Sequence, residues 1–354
     1  MATTRLNFEQ WQARAQQSPQ RVVDAFLTAL QPLAEPERRA WIAATPSGTA
    51  LLQSLDDALS AAEQPLAGVP YVLQDLFDVD GLPTACGAPF TELFDLPAED
   101  SSRLYEKLRA LGACLFAKTV PAEFGIDAQG RNPTFGDCPH PENHAWLAGG
   151  GAGSAARAVS AGLVPLAFGL DTAGGIRIPA AFQGLFGFRM ENNHEARDGV
   201  FPIIPTIESV GWVNHCLADL RTTFRALYSS ASEQRCDDAP RGYLIGSLGS
   251  TLSSEVNAGL CGIARALNID EDPQLGRQLA PTLGRALAAY QTLEARELYH
   301  VHQYWLEEYR EQYDAAVLER IDRGQQCRSV DAEACAQGQQ RPRIALRQFL
   351  EPHE

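Results

Sequence analysis

No run of about 18 apolar residues occurs anywhere in the 354-residue chain, so no membrane-spanning helix is expected. The stretch Met1–Gln20 is polar and lacks the apolar core of a signal peptide. Basic residues are scarce: 29 Lys and Arg stand against 44 Asp and Glu, for a net charge of −15. The positive charges are scattered, so the chain lacks the electrostatic footprint that draws nucleic acid or anionic lipid, and neither partner is expected. The eight cysteines (Cys86, Cys114, Cys138, Cys216, Cys236, Cys261, Cys327, Cys335) form no CxxC pair. That dispersal argues against a zinc site and fits reduced thiols in the cytoplasm. No Gly-x-Gly-x-x-Gly follows a strand-like run and no Gly-Lys-Ser/Thr closes a loop, so neither dinucleotide nor P-loop chemistry is indicated, and no cofactor or metal is expected.

Glycine, by contrast, is concentrated. Ala148–Arg189 reads AGGGAGSAARAVSAGLVPLAFGLDTAGGIRIPAAFQGLFGFR. Gly149, Gly150, Gly151 and Gly153 leave successive backbone N–H groups uncovered ahead of a helix-like run at Ser154–Gly162. Val164–Leu170 has the apolar pattern of a short buried strand, and Thr172, Ala173, Gly174 and Gly175 form a second small-residue turn before Ile176. Two such turns at neighbouring element ends can form a nest of N–H donors for a carbonyl oxygen or an anion; they can equally be tight packing turns.

Elsewhere the pattern alternates helices and strands, as in an α/β sheet covered by helices. Asn7–Leu33 is helical, with Val22, Val23, Phe26, Leu27 and Leu30 at core spacing, and Ala50–Glu63 follows as a helix. Leu66–Val72 reads as a strand entering Gln74, Ser102–Leu111 as a helix and Ala113–Lys118 as a strand. Leu217–Ser229 is helical, Gly242–Gly249 strand-like, and Ser253–Leu267 and Ala280–His302 are helical.

Five segments in order resemble the amidase-signature hydrolases. Gly149–Gly162 is similar to the family's GGSSxGSAAAVAAG, and Pro165–Arg189 to PxxLGTDTGGSIRIPAAFCGLxGxKPT. Leu66–Pro89 (LAGVPYVLQDLFDVDGLPTACGAP) is similar to LxGVPxxVKDxxDVxGxxTTxGS, Cys114–Gly125 (CLFAKTVPAEFG) to xxxGKTNxxEFA, and Phe201–Leu220 to PLAPSLDTVGPxARSVADL. The resemblance implies a central mixed β-sheet flanked by helices on both sides, in a domain spanning residues 1–324 whose first 63 residues are helical. Residues 325–354 read as a polar tail. It also implies a C-terminally shortened member: Tyr304–Gly324 resembles a late helical segment, and the strand that follows it in the family, which helps line the substrate channel, has no counterpart. A homo-oligomer or a second, partner chain is then expected to cover the shortened sheet.

The family cleaves amides with a Ser–cis-Ser–Lys triad. The matching positions here are Gly175 for the nucleophile, Gly151 for the bridging serine and Gln74 for the lysine. Glycine has no atom with which to attack, and a neutral glutamine amide cannot act as a general base. The frame around those positions persists. The resemblance places oxyanion N–H donors at Thr172, Ala173, Gly174 and Gly175, beside Gly150 and Gly151. Asp75 and the Asp171–Arg177 pair serve as structural support. The bond at Gly151, cis in the family, is expected to have relaxed to trans.

The loop Gly130–Leu147 precedes the first glycine turn and holds Asp137, Cys138, His140 and His144. Cys138 with His140 could replace the nucleophile, or join Asp137 in a metal site; an ordinary polar loop has the same composition. Three functions therefore stand side by side: a non-hydrolytic protein binding a small amide or carboxylate ligand or a partner, a hydrolase of a small amide or urea-type C–N bond with displaced catalytic residues, and a non-catalytic subunit of an amidase complex.

Overall fold

Pro19 divides what the periodicity reads as one N-terminal helix. Helix α1 (Phe8–Gln17) is opened by Asn7 and Gln10 in a capping box, and α2 (Pro19–Leu30) begins at the Ser18 cap with proline in its first turn. The computed structural model describes residues 5–33, 35–60, 64–90, 93–94, 96–192, 195–228, 243–244, 252–271 and 273–327. It divides the chain into two units, Met1–Ala231 with Val301–Glu319, and Ser232–His300 with Arg320–Glu354.

In the first unit α3 (Glu35–Arg39), β1 (Ile42–Ala44) and α4 (Gly48–Ser60) follow the helical pair. Strand β2 (Pro70–Gln74), helix α5 (Arg103–Ala110) and strand β3 (Cys114–Thr119) then form a parallel crossover. Helix α6 (Gly153–Ser160) leads to β4 (Leu166–Asp171), which pairs parallel with β2. Helix α7 (Arg177–Phe182), β5 (Phe186–Arg189), β6 (Ser209–Asn214) and α8 (Leu217–Leu227) follow in turn. The sheet order is β1-β3-β2-β4-β6-β5, with β3, β2 and β4 parallel and the remaining pairings antiparallel. A mixed sheet is what the resemblance to the amidase-signature hydrolases implies.

Residues of β2, β3, β4 and β6 are buried throughout, as strands covered on both faces must be. Alternation sorts them. Val72, Phe116, Ala167 and Val213 join the core formed with Trp11, Phe26, Leu51, Leu55 and Val159 from the helices. Tyr71, Phe168, Trp212 and Phe188 pack in succession, edge-on or tilted, on the opposite side, where Phe224 of α8 meets Phe188 edge-on. Strands β5 and β6 are not evident as strands in the sequence: Phe186–Arg189 is a four-residue edge segment without alternation.

Within the same unit, the segment 301–319, which includes α11 (Leu306–Tyr309), closes an aromatic cluster. Phe124, which sits at φ +50° in a one-turn helix (Glu123–Gly125), stacks with Phe201, Trp305 and Tyr313, and His302 meets its edge. Glu123 is buried and its carboxylate accepts the Asp314 N–H at 3.0 Å.

The second unit contains β7 (Tyr243–Leu244) paired parallel with β8 (Asp270–Glu271), helix α9 (Ser254–Ala266) and most of α10 (Pro273–His302). Helix α12 (Ala315–Gln325) passes from the first unit into the second. Of the strand expected at Gly242–Gly249, only Tyr243–Leu244 falls within the described residues, and 328–354 of the tail lies outside them. Among the described residues no helix is long and apolar enough to cross a membrane.

Candidate functional site

Strand β2 delivers Gln74 into the interior at its C-terminal end, where it is almost wholly buried. Its Nε2 donates to the Gly151 carbonyl at 2.9 Å and its Oε1 accepts the Leu170 N–H of β4 at 2.8 Å. The amide thus ties the first glycine turn to the neighbouring strand, using both its donor and its acceptor end. It carries no charge and offers no base.

The two glycine turns meet directly. Ala152 donates its N–H to the Gly175 carbonyl at 3.1 Å, and Ala122 donates to the Gly151 carbonyl at 3.2 Å. The backbone leaves no volume for side chains at either position. A Cβ at Gly151 would stand 2.6 Å from the Gly125 carbonyl oxygen, and one at Gly175 would stand 2.5 Å from the Leu170 carbonyl oxygen. Among the described residues every peptide bond is trans, including the one before Gly151. Gln74, Gly151 and Gly175, far apart in sequence, are therefore gathered in one place.

Asp171, at the end of β4, organises the second turn. Its buried carboxylate accepts the N–H groups of Gly174 (2.9 Å), Ile176 (3.3 Å) and Arg177 (3.2 Å), and the Arg177 guanidinium binds it through Nε and Nη2 at 3.0 and 2.8 Å. Burial alone would raise its pKa, but the hydrogen bonds and charge of Arg177 outweigh that and hold it below the usual carboxylate value. Arg189 adds a hydrogen bond from Nε to the Asp171 carbonyl. One of the four expected donors is consequently turned inward: the Gly174 N–H serves Asp171. The N–H groups of Thr172, Ala173 and Gly175 have no partner among the described residues, and Thr172 and Ala173 are partly or fully exposed.

Asp75 faces a residue not singled out from the sequence. Lys118 of β3 is fully buried, and its Nζ lies 2.6 Å from Asp75 Oδ1. It also donates to the Pro83 carbonyl at 2.6 Å and Thr84 Oγ1 at 2.8 Å. With two hydrogen bonds made by its ammonium and the Asp75 carboxylate beside it, Lys118 is a cationic strut. Asp75 is raised by burial, against the opposing pull of Lys118, and its Oδ2 accepts the Ala85 N–H. The visible signal was a lone lysine inside the apolar strand CLFAKT. A cavity of about 440 Å³ opens beside Asp75, walled by Arg38, Arg39, Ile42, Pro83 and Ala85; neither glycine turn lines it.

Cys138 and His140 are both buried, but no hydrogen bond joins them. Burial pushes the Cys138 thiol up to about 11, so it stays protonated near neutrality. His140 accepts the Glu142 N–H at Nδ1, which leaves Nε2–H to donate to the Phe182 carbonyl at 3.1 Å. With both nitrogens engaged, the imidazole tethers the loop to α7.

Known proteins resemble this chain in sequence and in fold. Residues 21–253 match the family model described as Amidase. The chain is 32% identical over 46% of its length to AtzE, a subunit of the 1-carboxybiuret hydrolase of Pseudomonas sp. (strain ADP), covering 35% of that protein. It is 29% identical over 64% of its length to the A-type subunit of the glutamyl-tRNA(Gln) amidotransferase of Roseiflexus castenholzii, covering 46% of it. The matches thus span between about a third and a half of these curated relatives. Among solved structures, one described as a crystal structure of amidase superimposes with a TM-score of 0.83 at 24% identity, over 96% of this chain and 79% of that one. Kluyveromyces lactis allophanate hydrolase superimposes with a TM-score of 0.79 at 22% identity, over 98% and 59%. At that identity the superpositions establish the fold.

Proposed function

The chain belongs to the amidase family, and we propose that it keeps the family's fold without its amide-hydrolysing chemistry, acting in the cytoplasm by binding a small amide or carboxylate ligand or a partner chain. The observation that carries this reading is the Gln74 side chain. At the position where the resemblance calls for a basic lysine stands a neutral amide, hydrogen-bonded at both ends to backbone. A base that must accept a proton has no counterpart there. The closed backbone at Gly151 and Gly175 supports the same reading, because an attacking hydroxyl needs a side chain where none fits.

What remains suits binding. Three backbone N–H groups of the second turn are available to a carbonyl or carboxylate oxygen, and the turn is braced from below by Asp171. The cavity beside Asp75 is of the size that takes small ligands, and its wall carries both signs of charge, Arg38 and Arg39 with Glu35 and Asp75, which suits a neutral, polar amide. A role beside a partner is supported by the relatives themselves, two of which are named as subunits.

The test is ammonia release from a panel of small amides, ureas and allophanate, with the purified chain at high concentration. The expected result is no release above the buffer rate. Turnover by the wild-type chain would sink the reading and make Cys138 and His140 the first residues to replace. Light scattering in dilute buffer tests self-association: a monomeric mass counts against a homo-oligomer.

A further inference from the structure

Strand β6 is antiparallel to β4, with Ser209 opposite Asp171 and Asn214 opposite Leu166. Residues just beyond Asn214 therefore lie at the opposite end of the sheet from the glycine turns, about 17 Å away along the strand. There the chain reads His215-Cys216, turns into α8, and places Asp219 in its first helical turn. The imidazole, the thiol and the carboxylate come together, with ligating atoms all within 4.8 Å of one another.

We infer that His215, Cys216 and Asp219 form a binding site for a divalent ion of the zinc class, with solvent completing the coordination. The donor set is one nitrogen, one sulfur and one oxygen, which favours zinc or cobalt over magnesium or calcium. Asp219 is the fixed ligand: it is 4% exposed, and both its oxygens accept the Phe8 N–H at 3.2 Å. His215 and Cys216 are half-buried at the strand-to-helix turn, open to an ion and to water on the outer side. Tetrahedral zinc ligands stand about 3.5 Å apart, so modest side-chain rotation draws the three together.

On binding, the Cys216 sulfur forms a bond to the metal and its proton leaves to solvent, while His215 and Asp219 supply lone pairs without redox change. Arg5 is the cation facing the cluster, and its Nε is held by the Ser160 carbonyl.

The experiment titrates the full chain, stripped with a chelator and kept reduced with a phosphine, with Co²⁺ and then Zn²⁺. The expected result is saturation at one equivalent, a sulfur-to-cobalt charge-transfer band, and loss of that band on adding zinc. Cys216→Ser should abolish the band, His215→Ala should weaken binding by roughly tenfold or more, and Cys261→Ser should change neither. Because Asp219 also holds Phe8, its substitution endangers the fold; the half-exposed His215 and Cys216 carry the test. Absence of a saturable band, or a band unchanged in Cys216→Ser, overturns the inference.

Discussion

Gln74 donates its side-chain amide to the Gly151 carbonyl at 2.9 Å, although 77 residues separate them. The same side chain accepts from Leu170, so one neutral group joins β2, the first glycine turn and β4. Buried amides satisfied at both ends hold structure together, and removing either end leaves a backbone group unpaired.

Gln74→Lys is therefore expected to destabilise the chain. An ammonium retains the bond to Gly151 but cannot accept from Leu170, and it buries an unpaired charge. The expected cost is about 3–5 kcal/mol in urea unfolding. A neutral effect would show that the pocket accommodates a lysine without rearrangement.

Gly151→Ser and Gly175→Ser each drive a Cβ against a backbone carbonyl, at 2.6 and 2.5 Å. Backbone cannot swing aside as a side chain can, so each substitution is expected to cost roughly 1–3 kcal/mol or more by thermal melting. Combined with Gln74→Lys, they are expected to release no ammonia from the amide panel. Turnover by that triple variant would mean that the two turns can reopen.

Asp171 and Arg177 should prove unequal. The Arg177 side chain is 51% exposed, so Arg177→Gln removes a solvent-screened pair and should cost under about 1 kcal/mol. Asp171→Ala strips acceptors from three backbone N–H groups, two of them buried, and should cost about 3 kcal/mol. Equal losses in chemical denaturation would contradict this ranking. Because its folded pKa is depressed, the Asp171 contribution is present above the usual carboxylate pKa and fades as pH falls below it.

Glu123 gives the opposite slope. Burial raises its pKa from 4.5 to about 7, only partly offset by the Asp314 N–H. Between those values the folded chain holds a proton that the unfolded chain has released, so stability falls as pH rises through that window, by about 3 kcal/mol in all. Glu123→Gln should lack this slope. Unfolding free energies for both proteins, measured from about pH 4.5 to pH 7.5 across that window, give the difference; parallel curves would refute it.

Cys138 should resist iodoacetamide in the native state at neutral pH, while the half-exposed Cys261 and Cys327 react first. Digestion and mass spectrometry locate the label. Preferential labelling of Cys138, blocked by a small amide, would favour displaced catalysis at that thiol.

Much of the layout is legible in the linear chain. Apolar runs locate β2, β3 and β4, helical spacing locates α2 and α4, and five motifs predict the mixed sheet and the meeting of Gln74 with the glycine turns. Boundaries moved where local chemistry intervened: Pro19 splits the first helix, and Leu66–Gly68 forms a turn ahead of β2. Strand β5 escaped because an edge strand of four residues carries no alternating burial. Lys118 escaped because its meaning depends on Asp75, Pro83 and Thr84, which only the fold brings to it. His215-Cys216-x-x-Asp219 was readable in principle, but as a mixed-ligand spacing rather than a cysteine pair.

The sequence by itself determined the family, the sheet and which residue types stand at Gln74, Gly151 and Gly175, because those follow from local patterns and from the presence or absence of side-chain atoms. Only the tertiary structure decided that the amide is satisfied at both ends, that the two turns close on each other, that Asp171 claims one of the turn's donors, and that both His140 nitrogens are engaged. Each of those is a question of which hydrogen-bond partner lies within about 3 Å, and residues 77 or 96 positions apart settle it only when the chain has folded.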